Sequence, residues 1–363
     1  MFENTVKLYK NMFSEKEKTL LINGDLSVSI FMYSSGVHAV KVTNKRGYMT
    51  VLPFQGQQIW RAGFDGHELV MKNTFEEPQD TTSFFFTYGG FLIHCGLTAI
   101  GNPSPEDTHP IHGELPNARY QSACIESGED ERGRYVQISG TYEYDFGFEV
   151  RYHFTPHLRL YESETVINVK TDIRNMRGTP MEYLYLCHMN FAPVDGSRLV
   201  YSAKPDGVYT HYLVPDNLPE DKKSKLEKYF EALSEDVHIH DTVGGPEQFY
   251  MPEIVFTVTY EQDEQGRGYC MQLRPDGYAD YVSHHPSQLP YGLRWIARTE
   301  DEDAMGMLLP ATGEHNGYLD CKRKGYIRYL EPYSSTSFDF DVGILDPQRA
   351  SALEDKIEKL CRQ

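Results

Sequence analysis

The chain is short of the features that would tie it to a membrane, a nucleic acid or an oxidising compartment. No stretch of its 363 residues is long and apolar enough to cross a bilayer as a helix. Met1–Lys18 is polar and charged, without the apolar run and small-residue cleavage site of a secretory signal. Basic residues are the minority: 35 Lys and Arg stand against 53 Asp and Glu, a formal net charge of -18, which argues against a surface that tracks phosphates. The six cysteines (Cys95, Cys124, Cys187, Cys270, Cys321 and Cys361) form no CxxC pair, and several sit in apolar, strand-like surroundings. They read as reduced core residues, and the expectation is a cytoplasmic protein. There is no internal repeat, no low-complexity segment and no convincing linker, so residues 1–363 are expected to form one domain.

What is present is a long succession of strand signals. Hydrophobic residues make up 40% of the chain and aromatics 13%, ample for a large core. Leu26–Tyr33 and Gly36–Asn44 alternate apolar and polar residues, and Met49–Phe54 and Gln57–Phe64 follow. Tyr120–Ser127, Tyr135–Tyr144, Phe148–Thr155 and Leu160–Arg174 read as successive antiparallel strands with hairpin connectors, and strands resume at Glu253–Tyr260 and Gly268–Leu273. Helical spacing is confined to Glu220–Glu235, to an amphipathic C-terminal stretch (347–363) and to an expected N-terminal helical extension (1–22). The predicted fold is mainly β, a large antiparallel sandwich with a few peripheral helices.

Polar residues cluster at three places. The first is His109-Pro110-Ile111-His112-Gly113-Glu114-Leu115-Pro116-Asn117, in a loop dense with hydrogen-bonding side chains. The second follows the turn signal Arg177-Gly178-Thr179-Pro180: Met181–Cys187 reads as a strand buried on both faces, and it ends in His188, Met189 and Asn190. An imidazole and an amide at the end of a rigid strand suit a sugar pocket, and a core histidine bonded to a backbone carbonyl fits the same residues. The third is Leu309-Pro310-Ala311-Thr312-Gly313-Glu314-His315-Asn316. Gln58, Trp60 and Arg61 form a further polar and aromatic group. His238-Ile239-His240 has a strand spacing that puts both imidazoles on one face, and His284-His285-Pro286 with Arg294 could rim a pocket.

In order and spacing the three clusters resemble the aldose 1-epimerase (galactose mutarotase-like) superfamily, over about Ser27 to Asp346. Cys95-Gly96-Leu97 with His112-Gly113 is most like its uncharacterised, DUF4432-like branch. The resemblance implies a galactose mutarotase-like supersandwich and interconversion of sugar anomers by proton transfer, since a pyranose must lose the proton of its anomeric hydroxyl while its ring oxygen gains one. It implies Glu314 as general base, His188 as general acid and His112 as an assisting, sugar-binding residue, with no metal and no organic cofactor. Asn190, Asn117 and Arg61 are the expected hydroxyl ligands, joined by Arg294 and Trp295 at the pocket. Trp60 and Trp295 each offer a flat apolar face to a pyranose, although such rings more often fill interiors.

One departure carries weight. Many relatives place the catalytic glutamate directly before the proline of the third segment, where this chain has Leu309. Either the base has moved to Glu314 or the protein binds sugar without turning it over. A third possibility is a metal-dependent isomerase of cupin type on His109, His112 and Glu114. The expected partner is a small-molecule carbohydrate, not a nucleic acid or a membrane, with the chain a monomer or homodimer.

Overall fold

The computed structural model describes residues 4–245, 248 and 253–362. Period-two burial governs the strands: in Val150–Tyr161, buried residues such as Tyr152, Phe154, Leu158 and Leu160 alternate with partly exposed ones. Such strands bury one face each and need a second layer.

Two antiparallel sheets supply it. The nine-stranded sheet runs, in spatial order, Asn4–Leu8, Ser122–Asp130, Gly133–Phe146, Val150–Tyr161, Val166–Asn175, Ser335–Leu345, Ala279–His284, Gly268–Leu273 and Arg198–Tyr201. The larger sheet, of 13 strands, begins Val208–His211, Ile254–Val258, Tyr291–Arg298, Asp303–Ala311, Met181–Met189 and Leu92–Leu97. It continues through Ile59–Phe64, Gly47–Val51, His38–Asn44, Leu26–Met32 and Lys18–Asn23. His67–Glu68 and Arg328–Leu330 pair alongside this path. The sheets pack face to face: Tyr185 stacks on Phe338 at 5.1 Å between centroids, and His94 meets Phe154 edge-on at 5.3 Å.

The predicted sandwich is therefore observed. The helix over Glu220–Glu235 forms as expected, burying Leu226, Phe230 and Leu233, and the C-terminal helix spans Pro347–Cys361. The N-terminal helix is not found. Asn4–Leu8 pairs instead with Ser122–Asp130, Lys10–Met12 is one 3-10 turn, and Lys18–Asn23 forms a hairpin with Leu26–Met32. An open sheet edge on each side offers this segment backbone partners and a buried site for Leu8, which outweighs a weak helical propensity. His238 and His240 also depart from expectation. They lie in a 3-10 turn (Val237–Asp241), not on one face of a strand. All six cysteines are free, and no helix among the described residues is long and apolar enough to cross a membrane.

Met181–Met189 occupies the middle of the larger sheet, between Asp303–Ala311 and Leu92–Leu97, and from Tyr183 to Met189 every residue is buried. Asn175 sets its start: its Nδ2 donates to the carbonyls of Thr179, Leu330 and Glu331, while its Oδ1 accepts from the Arg177 N–H. The turn is thus stapled to the chain entering the last strand, and Tyr185 and His188 fall on opposite faces. Tyr185 enters the core. His188 points away from it.

Candidate functional site

His188 opens onto a pocket on the outer face of the larger sheet whose empty space, the part open to solvent included, is about 550 Å³. Four adjacent strands make the floor, with Val255, Leu293 and Trp295, Leu309, and Leu186 and His188 in spatial order. Ile111 and His112 come from the loop after Leu92–Leu97, and Phe84, Phe85 and Tyr88 form an aromatic wall. Asn102, Glu253 and His315 complete the polar lining.

The imidazole of His188 lies edge-on to three rings: Trp295 at 5.0 Å, His112 at 5.3 Å and Tyr88 at 6.0 Å between centroids. Among the described residues neither His188 Nδ1 nor His112 Nδ1 has a hydrogen-bond partner, and the same holds for His315 Nδ1. Burial holds all three imidazoles neutral. It lowers His188 to about 4, with Asn190 pulling the other way, and His315 to about 3. His112 is driven well below its ordinary value by burial, reinforced by His188, His315 and His109.

The His112 loop explains its own sequence. His112 has a φ of 58° and Gly113 of 77°, and a Cβ on Gly113 would stand 2.4 Å from the Ala99 carbonyl oxygen. The Gly96 N–H donates to His112 O, and the Glu114 and Leu115 N–H groups donate to Gly96 O. Glu114 then closes the loop, its carboxylate accepting from Leu97 N–H, Thr98 N–H, the Thr98 hydroxyl and the Tyr152 hydroxyl. With that carboxylate committed, and no cluster of metal-ligating side chains among the described residues, the cupin-type arrangement of His109, His112 and Glu114 is not what this loop builds. His109 turns instead to the short helix Gly317–Arg323, accepting from the Tyr318 N–H at 3.3 Å.

The cavity's carboxylate is Glu253, which the sequence reading did not single out as a site residue. It stands immediately before Ile254–Val258, and its Oε2 accepts from Trp295 Nε1–H at 2.5 Å. Across the sheet Val255 pairs with Trp295, which brings the two side chains together. The available signal was a carboxylate after Pro252 at the head of an apolar strand. Asn102 was also missed, and His315, part of the third cluster, was given no role there. Their loops meet through Asn102 N–H donating to His315 O at 2.7 Å.

Of the expected site residues, His188, His112 and Trp295 converge on the cavity and the others do not line it. Glu314 is turned into the protein behind His315. Its Oε1 accepts from the Thr257 hydroxyl at 2.9 Å, its Oε2 is 2.6 Å from Lys324 Nζ, and His211 Nε2 lies 3.8 Å away. Arg61 spends its guanidinium on the carbonyls of Trp60, Gly89 and Phe75 and lies over the fully buried Trp60 ring. Asn117 binds Gln58, Gln55 and Ser83 O. Arg294 is fully buried, bonded to Met307 O, His240 and Asp241. Asn190 acts one step back, accepting from the Tyr88 hydroxyl at 3.0 Å and donating to Gly90 O. His284 is buried at a strand end and His285 binds Gly266 O, so neither forms the rim. For Glu314, Arg61, Asn117 and Arg294 the polar group is satisfied by backbone, side-chain or counter-charge partners that the sequence does not display.

Two very large antiparallel sheets with a histidine-bearing cavity on the larger one define the galactose mutarotase-like fold. A candidate aldose 1-epimerase from Klebsiella pneumoniae subsp. pneumoniae MGH 78578 superposes with a TM-score of 0.81 at 16% identity, covering 99% of this chain and 96% of that one. A galactose mutarotase-like protein from Clostridium acetobutylicum gives 0.57 at 13% identity, covering 89% and 100%. A candidate aldose 1-epimerase from Escherichia coli K12 gives 0.53 at 13%, covering 84% and 98%. At these identities the likeness shows the fold. Residues 34–211 match the family described as "Domain of unknown function (DUF4432)", so the resemblance to the uncharacterised branch holds over that segment. No curated protein matches the chain.

Proposed function

We propose that this protein interconverts the anomers of a free sugar or sugar derivative by general acid–base catalysis in the His188 cavity. The observation that carries the reading is the convergence of His188, His112 and the Trp295-anchored Glu253 carboxylate on one pocket. Glu253 takes the proton of the anomeric hydroxyl, and the imidazolium form of His188 delivers one to the ring oxygen as the bond from that oxygen to the anomeric carbon breaks. The aldehyde end rotates, the ring oxygen attacks the other face, and both protons return. His112 holds the sugar, and Trp295 presents its face to the ring. No redox step is involved.

The test is NMR exchange between anomer signals over a panel of aldoses. Wild type is expected to speed exchange, and His188→Ala and Glu253→Gln each to reduce the catalysed rate by about a hundredfold or more. Glu314→Gln is expected to stay within about threefold of wild type. If Glu314→Gln abolishes exchange and Glu253→Gln does not, Glu314 is the base after all.

Leu309 favours a second reading, a sugar-binding or sensing protein without turnover, because it puts an apolar side chain on the cavity wall directly before Pro310. Saturable sugar binding with anomer exchange at the uncatalysed rate would select it.

A further inference from the structure

His188, Trp295 and His112 reach the pocket from two strands and a loop, and one aromatic side chain connects them. The Tyr88 ring lies edge-on to His188 at 6.0 Å between centroids. It lies edge-on at 6.2 Å to Trp295, whose indole N–H holds Glu253. On its other side stands Phe84 at 4.9 Å, and Phe84 in turn packs on His112 at 4.9 Å. All four separations are those of attractive ring contacts.

Tyr88 is itself tied down at its tip and along the backbone that follows it. Its hydroxyl donates to Asn190 Oδ1 at 3.0 Å. Asn190 is fully buried, and its Nδ2 donates to Gly90 O and its N–H to Phe91 O, each at 2.8 Å. Arg61 donates to Gly89 O at 2.7 Å and so fixes the residue next to Tyr88. With its hydroxyl spent on Asn190, Tyr88 turns its ring to the pocket.

Anomer exchange is sensitive to such an arrangement. The two oxygens that trade protons are bonded to the same carbon, so the acid and the base must flank one atom together. A misplacement of about 1 Å can cost about a hundredfold in rate.

We propose that Tyr88, fixed by Asn190, is the positioning residue that keeps His188, the Trp295–Glu253 pair and His112 at their working separations. This rests on the reaction proposed above.

The experiment follows anomer exchange by NMR, using the aldose that wild type accelerates most, in Tyr88→Leu and Tyr88→Phe proteins shown to be folded by circular dichroism. Loss of the ring in Tyr88→Leu is expected to lower kcat about a hundredfold, with KM within about threefold of wild type. Tyr88→Phe keeps the ring and gives up only the Asn190 bond, so its kcat is expected to fall about tenfold. A kcat within about twofold of wild type in either variant, or a loss taken in KM alone, overturns the inference and leaves the proposed reaction standing. A second readout needs no turnover: exchange of the Trp295 indole N–H with water is expected to quicken about tenfold in Tyr88→Leu as its bond to Glu253 loosens. If wild type accelerates no aldose, the proposed reaction fails and this rate decides. A quickened rate then upholds the positioning role, and an unchanged one overturns it.

Discussion

Lowering the pH from 7 to 5 asks directly whether His188 is held neutral. In an unfolded chain an imidazole titrates near 6.5, whereas burial puts folded His188 at about 4. Above pH 6.5 both states carry the neutral ring and the shift contributes nothing to pH dependence. As the pH falls below that value the unfolded chain takes up a proton that the folded protein does not, so stability falls down to about pH 4. At pH 5 the unfolded ring is almost wholly protonated and the folded ring about nine-tenths neutral, a difference worth about 2 kcal/mol. His188→Gln removes the titrating group. Between pH 7 and pH 5 the variant is therefore expected to lose about 2 kcal/mol less unfolding free energy than wild type, by urea denaturation followed with far-ultraviolet circular dichroism. Equal losses in the two proteins would mean that folded His188 carries a proton at pH 5. That result would refute the burial argument and place an effective counter-charge beside the ring.

The remaining expectations follow from the same geometry. Because the imidazolium fraction of a group titrating near 4 grows about tenfold per pH unit, kcat/KM for anomer exchange should rise as the pH is lowered from 7 toward 5, and a flat profile would remove His188 as the acid. Arg294→Met strips the fully buried guanidinium from Asp241 and His240 and should cost about 3 kcal/mol or more in thermal or urea unfolding, with sugar affinity of the folded protein unchanged. A matching loss of affinity would restore Arg294 to the binding site. Gly113→Ala pushes a methyl against the Ala99 and Gly96 carbonyl oxygens at a positive φ and should weaken sugar binding about tenfold or more through His112, read by saturation transfer.

Much of the architecture was legible because strand burial has a short period that any few residues display. Val150–Tyr161 shows it, and Met181–Met189 shows its doubly buried variant. His188 and His112 were legible for a different reason: each ends or follows a recognisable local device, the Asn175 staple and the His112-Gly113 turn. Glu253 was not, since only the sheet order places it. Two strands stand between Ile254–Val258 and Met181–Met189, and the carboxylate reaches the cavity through a cross-strand neighbour of Trp295. Arg61, Asn117 and Arg294 lie away from this pocket for the converse reason. Their side chains suit sugar hydroxyls, but backbone carbonyls and amides from distant segments already satisfy them. The N-terminal segment failed likewise, because its strand character comes from the edges it joins.

The placement of the chain's two tryptophans has a practical consequence. Trp60 is sealed among Val37, Ala39 and Leu52, where no ligand of the cavity touches it. Trp295 stands on the cavity floor with its indole N–H on a carboxylate and an imidazole against its ring, so its emission should answer to anything that displaces solvent or shifts charge there. A Trp60→Phe protein would carry a single emitter at the site, and occupancy could then be followed by light alone, before any substrate or product assay exists.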